Sequence, residues 1–203
     1  MKINKKIWDY LFHPFRFIAG VKALILGILV MILLVGLCYL TDTELNGAFD
    51  NHLGCQKSTF INQIYYVFGV YIIMIIVFYI TAILAGGKKV RFIDIAGTFA
   101  LAKIPLIFAI LCLFPMSKAF CGIIDLANPT SLSPENMRQI MILSLKMSPL
   151  LIVGMAMIIW YIVLLYNGYS VSANVRSTKG VLTFIAAAFV CEILSKIFLA
   201  IVI

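Results

Sequence analysis

The sequence predicts an all-α fold, a polytopic membrane helix bundle with five transmembrane helices and an N-terminal interfacial amphipathic segment. Three observations lead there. The 18 residues from Ala23 to Leu40 carry no charge, and four more segments of similar length and apolarity follow. Of the 203 residues, 64% are hydrophobic and 12% charged, and the mean hydropathy is +1.10, far from a soluble domain. The basic residues gather at the ends of the apolar runs, as they do where helices leave a bilayer. Hydrocarbon tolerates a backbone only when its hydrogen bonds close internally, so runs of this length are read as spanning helices.

Residues 1–20 are expected to form a cytoplasmic interfacial segment and 21–203 a five-span membrane domain. Lys2, Lys5 and Lys6 precede an apolar stretch as in a signal peptide. That stretch is too long and lacks a small-residue cleavage site, so retention is expected. Ile3, Ile7, Tyr10, Leu11, Phe15 and Ile18 recur at helical spacing, with Lys2, Lys6, Asp9, His13 and Arg16 on the other face, the pattern of a helix lying in the membrane interface. Pro14 lacks an N–H and restricts His13, which predicts two short helices meeting at His13-Pro14.

The five spans are placed at 21–40, 64–85, 95–115, 149–166 and 181–203, each long enough at 1.5 Å per residue for a core about 30 Å thick. Tyr65 and Tyr66 open the second span, and Trp160, Tyr161 and Tyr166 crowd the cytoplasmic half of the fourth, positions that suit aromatic belts. The longest connection runs from Met116 to Ser148. Within it Ser133-Pro134-Glu135 supplies an N-cap, a proline at the first helical position and an early acid, so a helix should begin there. Met137, Ile140, Met141 and Leu145 would give it one apolar face, resting on the outer membrane surface until Pro149 opens the fourth span.

Sidedness follows from Lys and Arg. Ten fall on the N-terminal side (Lys2, Lys5, Lys6, Arg16, Lys22, Lys88, Lys89, Arg91, Arg176, Lys179) and four on the other (Lys57, Lys118, Arg138, Lys146). The expectation is an N-terminus in the cytoplasm and a C-terminus outside; in a bacterium this would be the inner membrane.

The formal charge of +8 does not point to nucleic acid, because no basic stripe with interleaved aromatics is present. Nucleotide-binding glycine patterns, HExxH and GxSxG are absent, and the histidines, His13 and His52, fall on opposite sides of the bilayer. No enzyme, cofactor or metal site is expected.

Charged residues inside spans are the candidate functional positions, since such groups are expensive in lipid and face partners or water. Glu192 lies near the middle of the fifth span with Lys196 four residues on, a spacing for an intrahelical ion pair or for a proton- or solute-linked site. Lys103 lies within the third span, where its options are snorkelling to the interface or pairing with Glu192. Pro105, two residues later, should loosen the helix and free carbonyls beside the lysine. Cys55 and Cys121 would sit in the two outer connections, as a candidate disulfide or as two separate thiols. Gly27, Gly36, Gly69, Gly97, Gly154 and Ala186 to Ala188 permit close helix approach.

Three stretches carry a family resemblance: His13-Pro14-Phe15 before the first span; Gly86-Gly87-Lys88-Lys89 before a third span with small residues and Pro105; and Trp160-Tyr161 through Asn167-Gly168 in the fourth, followed by a short polar loop and the last span. In this order the chain resembles the Ypt-interacting protein (Yip) family of five-span membrane proteins over nearly its full length, in a compact prokaryotic-like form. The resemblance implies an N-in, C-out bundle. Eukaryotic relatives bind prenylated Rab-type GTPases and other Yip proteins through a sizeable cytoplasmic N-terminal region. Here about twenty residues precede the first span, which counts against small GTPase binding. The expected partners are the lipid bilayer and other membrane proteins or a second copy. The leading expectation is a non-enzymatic integral membrane protein acting through helix-helix and protein-protein association, in membrane organisation or trafficking. The alternative is a small permease or channel using Lys103, Pro105 and Glu192.

Overall fold

The computed structural model describes residues 5–50, 52–53, 57–86, 90–126, 133–175 and 177–203. The chain begins with α1 (Lys5–Phe12), a 3-10 turn (Pro14–Arg16) and α2 (Gly20–Thr41). A two-stranded hairpin, β1 (Thr43–Glu44) with β2 (His52–Leu53), leads to α3 (Phe60–Ile64), a π-helical turn (Tyr65–Gly69) and α4 (Val70–Gly86). Then come α5 (Phe92–Leu101), α6 (Ile104–Leu126), α7 (Pro134–Ala173) and α8 (Thr178–Val202). Five helical stretches are long and apolar enough to cross a membrane: α2, α3 through α4, α5 with the first half of α6, α7 and α8. The bundle and its span count agree with the sequence.

Two short helical pieces do meet at His13-Pro14, with His13 outside helical geometry between them. Gly20 then turns the chain into α2 at φ +63°, in the left-handed region that glycine enters without steric cost. At the far end of α2, Asp42 adopts φ 50° and returns its N–H to the Cys38 carbonyl, closing the helix before the hairpin.

Proline acts differently at two positions. Pro105 cannot donate to the Leu101 carbonyl, and the third span breaks there. Lys103 N–H reaches the Ala100 carbonyl at 3.3 Å and Leu106 N–H the Lys103 carbonyl at 3.0 Å, 3-10 bonds that separate α5 from α6. This is the loosening expected of Pro105. Pro149 leaves the Leu145 carbonyl without its N–H in the same way, yet α7 continues through it. The difference is Ser148, whose hydroxyl donates to that carbonyl at 2.9 Å, a side-chain substitute for the missing bond.

The long connection therefore differs from the sequence reading. Ser133 does cap α7, accepting the Asn136 N–H at 3.2 Å. The helix that follows does not end where Pro149 is expected to open a separate span; it runs unbroken for 40 residues, about 60 Å, twice the thickness of the hydrocarbon core. Likewise α6 continues past Pro115 to Leu126 and packs along α7.

The core lies where α2, α4, α5, α7 and α8 converge. Phe78 of α4 packs against Phe99, Tyr169 and Phe184 from three other helices, with centroids 4.7, 5.7 and 5.3 Å away. Such aromatic packing adds to simple area burial. The Tyr71 hydroxyl donates to the Ala96 carbonyl at 2.7 Å, tying α4 to α5. The helices α2 and α5 pack closely along their length. A Cβ on Gly27 would overlap Ala100, and one on Gly97 would stand 2.7 Å from the Gly20 carbonyl oxygen. Gly36, expected at a similar contact, has open space beside it; it sits nearer the far end of α2, beyond the close approach.

Candidate functional site

The break at Pro105 positions Lys103 between two helix ends, and there it turns inward. It is 2% exposed, so its stem does not snorkel. Nor is it paired with Glu192: among the described residues its cation contact is the face of Tyr161, with Nζ 5.8 Å from the ring centroid, within reach of a cation–π attraction. Cys38 and Cys191 are free thiols buried in the same core.

Tyr161 is itself 1% exposed, so it is a core residue and no part of an aromatic belt; Tyr66, at 6%, is also inside. The Tyr161 hydroxyl donates to the Ala48 carbonyl at 3.1 Å. Ala48 belongs to the stretch between β1 and β2, which folds back into the bundle with Leu45 and Ala48 buried. One residue further, Phe49 N–H donates to the Glu192 carboxylate at 3.1 Å. Irregular backbone at this depth is tolerated because protein side chains meet its polar groups.

Glu192 also faces Lys196 at 3.6 Å, the pair read from the spacing, and Lys196 makes a shorter bond to Asp50 at 2.7 Å. The arrangement is thus an acid–lysine–acid chain whose second acid comes from the first connection. Of the sequence-predicted residues, Glu192 and Lys196 come together with each other. Lys103 and Pro105 stand across Tyr161 from them. Sequence reasoning missed Tyr161, Cys38, Cys191, Asp50 and the Ala48–Phe49 backbone. Only Asp50, one of few acids in the connection, left a readable signal.

The N-terminal segment is bound to α7 by two side chains. Trp160 Nε1 donates to the Leu11 carbonyl at 3.0 Å and Asn167 Nδ2 to the Phe12 carbonyl at 2.7 Å. These satisfy carbonyls that the end of α1 leaves without helical partners. Phe15, 2% exposed, packs over Gly168, where a Cβ would stand 3.4 Å from its ring. Two of the three stretches that carry the family resemblance are therefore the two sides of one contact. Trp160 serves here as a hydrogen-bonding anchor.

Cys38, Cys112 and Cys191 are free thiols, whereas Cys121 is disulfide-bonded. Cys55 lies outside the described residues, as do Gly87, Lys88 and Lys89 of the glycine-lysine stretch. Among the described residues no group of three His, Cys, Asp or Glu is arranged to hold a metal ion.

No curated protein and no solved structure matches the chain significantly. The family model described as the Yip1 domain matches residues 8–198, from α1 to the last turns of α8, so both the N-terminal clamp and the Lys103 centre lie within the match. The chain is a multi-pass integral membrane protein and belongs to the Yip1 domain family.

Proposed function

We propose that this protein is non-enzymatic and acts through helix-helix and protein-protein association within the membrane, in membrane organisation or trafficking. The observation that supports it most is the closure of the polar centre. Lys103 is buried against the face of Tyr161, whose hydroxyl ties it to the 45–50 stretch, and the cavities that open along the N-terminal segment, beside Glu192, beside Lys196 and between α4 and α8 are lined by neither Lys103 nor Pro105. A transport site needs water or solute at such a group. The outward faces of α2, α4, α7 and α8 instead present large apolar side chains, which in a bilayer meet lipid or another helix. The basic asymmetry supports a cytoplasmic N-terminus and an external C-terminus, and Cys55 is the partner we assign to Cys121. The test is cross-linking in native membranes followed by affinity purification. Discrete products containing a second copy or another membrane protein are expected, and monomer alone at every cross-linker length overturns the reading.

One observation favours the permease alternative. Glu192 borders a cavity of about 340 Å³ lined by Phe49, Ile162, Phe184 and Phe189 among others. That reading requires proton-linked flux in proteoliposomes which Glu192→Gln abolishes, while the association reading expects no such flux.

A further inference from the structure

A groove of about 490 Å³ opens between the N-terminal segment, α2, the α5–α6 break and α7. Its walls include Leu26, Leu29 and Leu33 of α2, Leu101 and Ile104 on either side of the break, and Trp160. Counted along their helices, these residues lie roughly 9 to 20 Å from the helix ends on the N-terminal side. They all fall in the N-terminal-side half of their spans or close to its middle. Tyr10 and Pro14 line the same groove from the N-terminal segment, which Trp160 and Asn167 hold in place. The groove is a built feature: Pro105 parts α5 from α6, and the clamp fixes the lid.

Two exposed basic residues neighbour the groove's lining residues along the chain. Lys22 stands one helical turn before Leu26 on the face that continues through Leu29 and Leu33. Arg16 follows Pro14 by two residues. Both are exposed, and neither has an ion-pair partner among the described residues. From Lys5 to Lys22 the chain carries Lys5, Lys6, Arg16 and Lys22 against Asp9, and Asp94 of α5 brings a second carboxylate beside Gly20 at the start of α2. An apolar slot in the N-terminal-side half of the bundle, with exposed cations one turn or two residues from its lining, matches one chemistry, and its volume falls within the ~300–1,000 Å³ of ligand sites.

We propose that this groove is a binding site for an anionic glycerophospholipid, with an acyl chain between Leu29, Leu33, Ile104 and Trp160 and the phosphate beside Lys22 and Arg16. Occupancy fills the space the helix break creates and bridges the N-terminal segment to α2. The site is separate from the Lys103 centre and does not depend on what that centre does.

Trp160 makes the site directly observable. In Trp8→Phe protein, Trp160 is the single tryptophan. Reconstituted in phosphatidylcholine vesicles, its fluorescence should be quenched by a small fraction of chain-brominated phosphatidylglycerol more strongly than by the same fraction of chain-brominated phosphatidylcholine. Removing Lys22 or Arg16 charge by Lys22→Gln or Arg16→Gln should reduce that preference roughly fivefold each, the effect of one basic residue near an anionic surface. Leu29→Trp is unsuitable because it adds a fluorophore, so Leu29→Phe narrows the slot and should weaken quenching by both lipids. Equal quenching by the two brominated lipids, insensitive to these substitutions, means ordinary bulk-lipid contact and overturns the proposal. Absence of quenching by either lipid means protein fills the groove and also overturns it. Native mass spectrometry of the unsubstituted protein is the second measurement: retained phosphatidylglycerol from a mixed bilayer supports the site, and loss of all lipid at the energy that strips phosphatidylcholine contradicts it.

Discussion

The Lys103 amine lies 5.8 Å from the centre of the Tyr161 ring, and the hydroxyl of that same ring donates to the Ala48 carbonyl at 3.1 Å. Tyr161 therefore joins the broken third span to the first connection. A buried ammonium costs several kcal/mol in this setting, and a desolvated cation–π contact returns about 2. The lysine is held by its surroundings more than it supports them.

From that imbalance, Lys103→Met should leave the melting temperature in detergent unchanged or raise it, because the charge is removed and the volume kept. Tyr161→Phe should lower stability by about 1 kcal/mol, since the Ala48 carbonyl loses its donor. Thermal unfolding of the two variants beside the parent checks both signs; a lower melting temperature for Lys103→Met would show that the amine is itself stabilising.

The glycines of α2 should behave in opposite ways. At Gly27 an added Cβ overlaps Ala100 and stands 2.7 Å from the Leu101 backbone nitrogen, whereas Gly36 faces open space. Gly27→Ala should cost about 1–3 kcal/mol by forcing α2 from α5. Gly36→Ala should stabilise by up to about 1 kcal/mol through helix propensity. Equal effects in a melting series would contradict the packing between α2 and α5.

Ser148 and Pro149 should be coupled. If the Ser148 hydroxyl replaces the N–H that Pro149 cannot offer to Leu145, Ser148→Ala costs about 1 kcal/mol in the parent and close to nothing in a Pro149→Ala background. A double-mutant cycle measures this directly, and additive effects would remove serine from the account of why α7 stays whole.

Sidedness has a direct assay. Reporter fusions after Gly87 and after Asn128 should show cytoplasmic and external activity respectively, following the ten-to-four distribution of basic residues. Thiol labelling before and after reductant should reveal Cys55 together with Cys121 only once reductant is added. Reversed reporters, or two thiols labelled without reductant, would contradict these assignments.

The membrane bundle, its five apolar helices, the cap at Ser133 and the pause at His13-Pro14 were all determined by local chemistry that a sequence displays openly. Run length against bilayer thickness, a side chain that caps, and a ring that removes an N–H act within a few residues. The Glu192–Lys196 pair belongs here too, since four residues on one helix leave little freedom.

Only the tertiary structure decided where the charges and rings point. Tyr161 reads as an interfacial ring until the 45–50 stretch folds against it, and Lys103 reads as a snorkelling or paired cation until Tyr161 covers it. Asp50 joins Lys196 across 146 residues of chain, and Asn167 reaches Phe12 across 155. Pro149 reads as a break until Ser148 is seen on the carbonyl it orphans. In an apolar chain the hydropathy pattern is nearly uniform around each helix, so it specifies insertion but not rotation. The facing residues follow from close packing at Gly27 and Gly97 and from buried polar groups finding partners, and those conditions are met only once the helices are side by side.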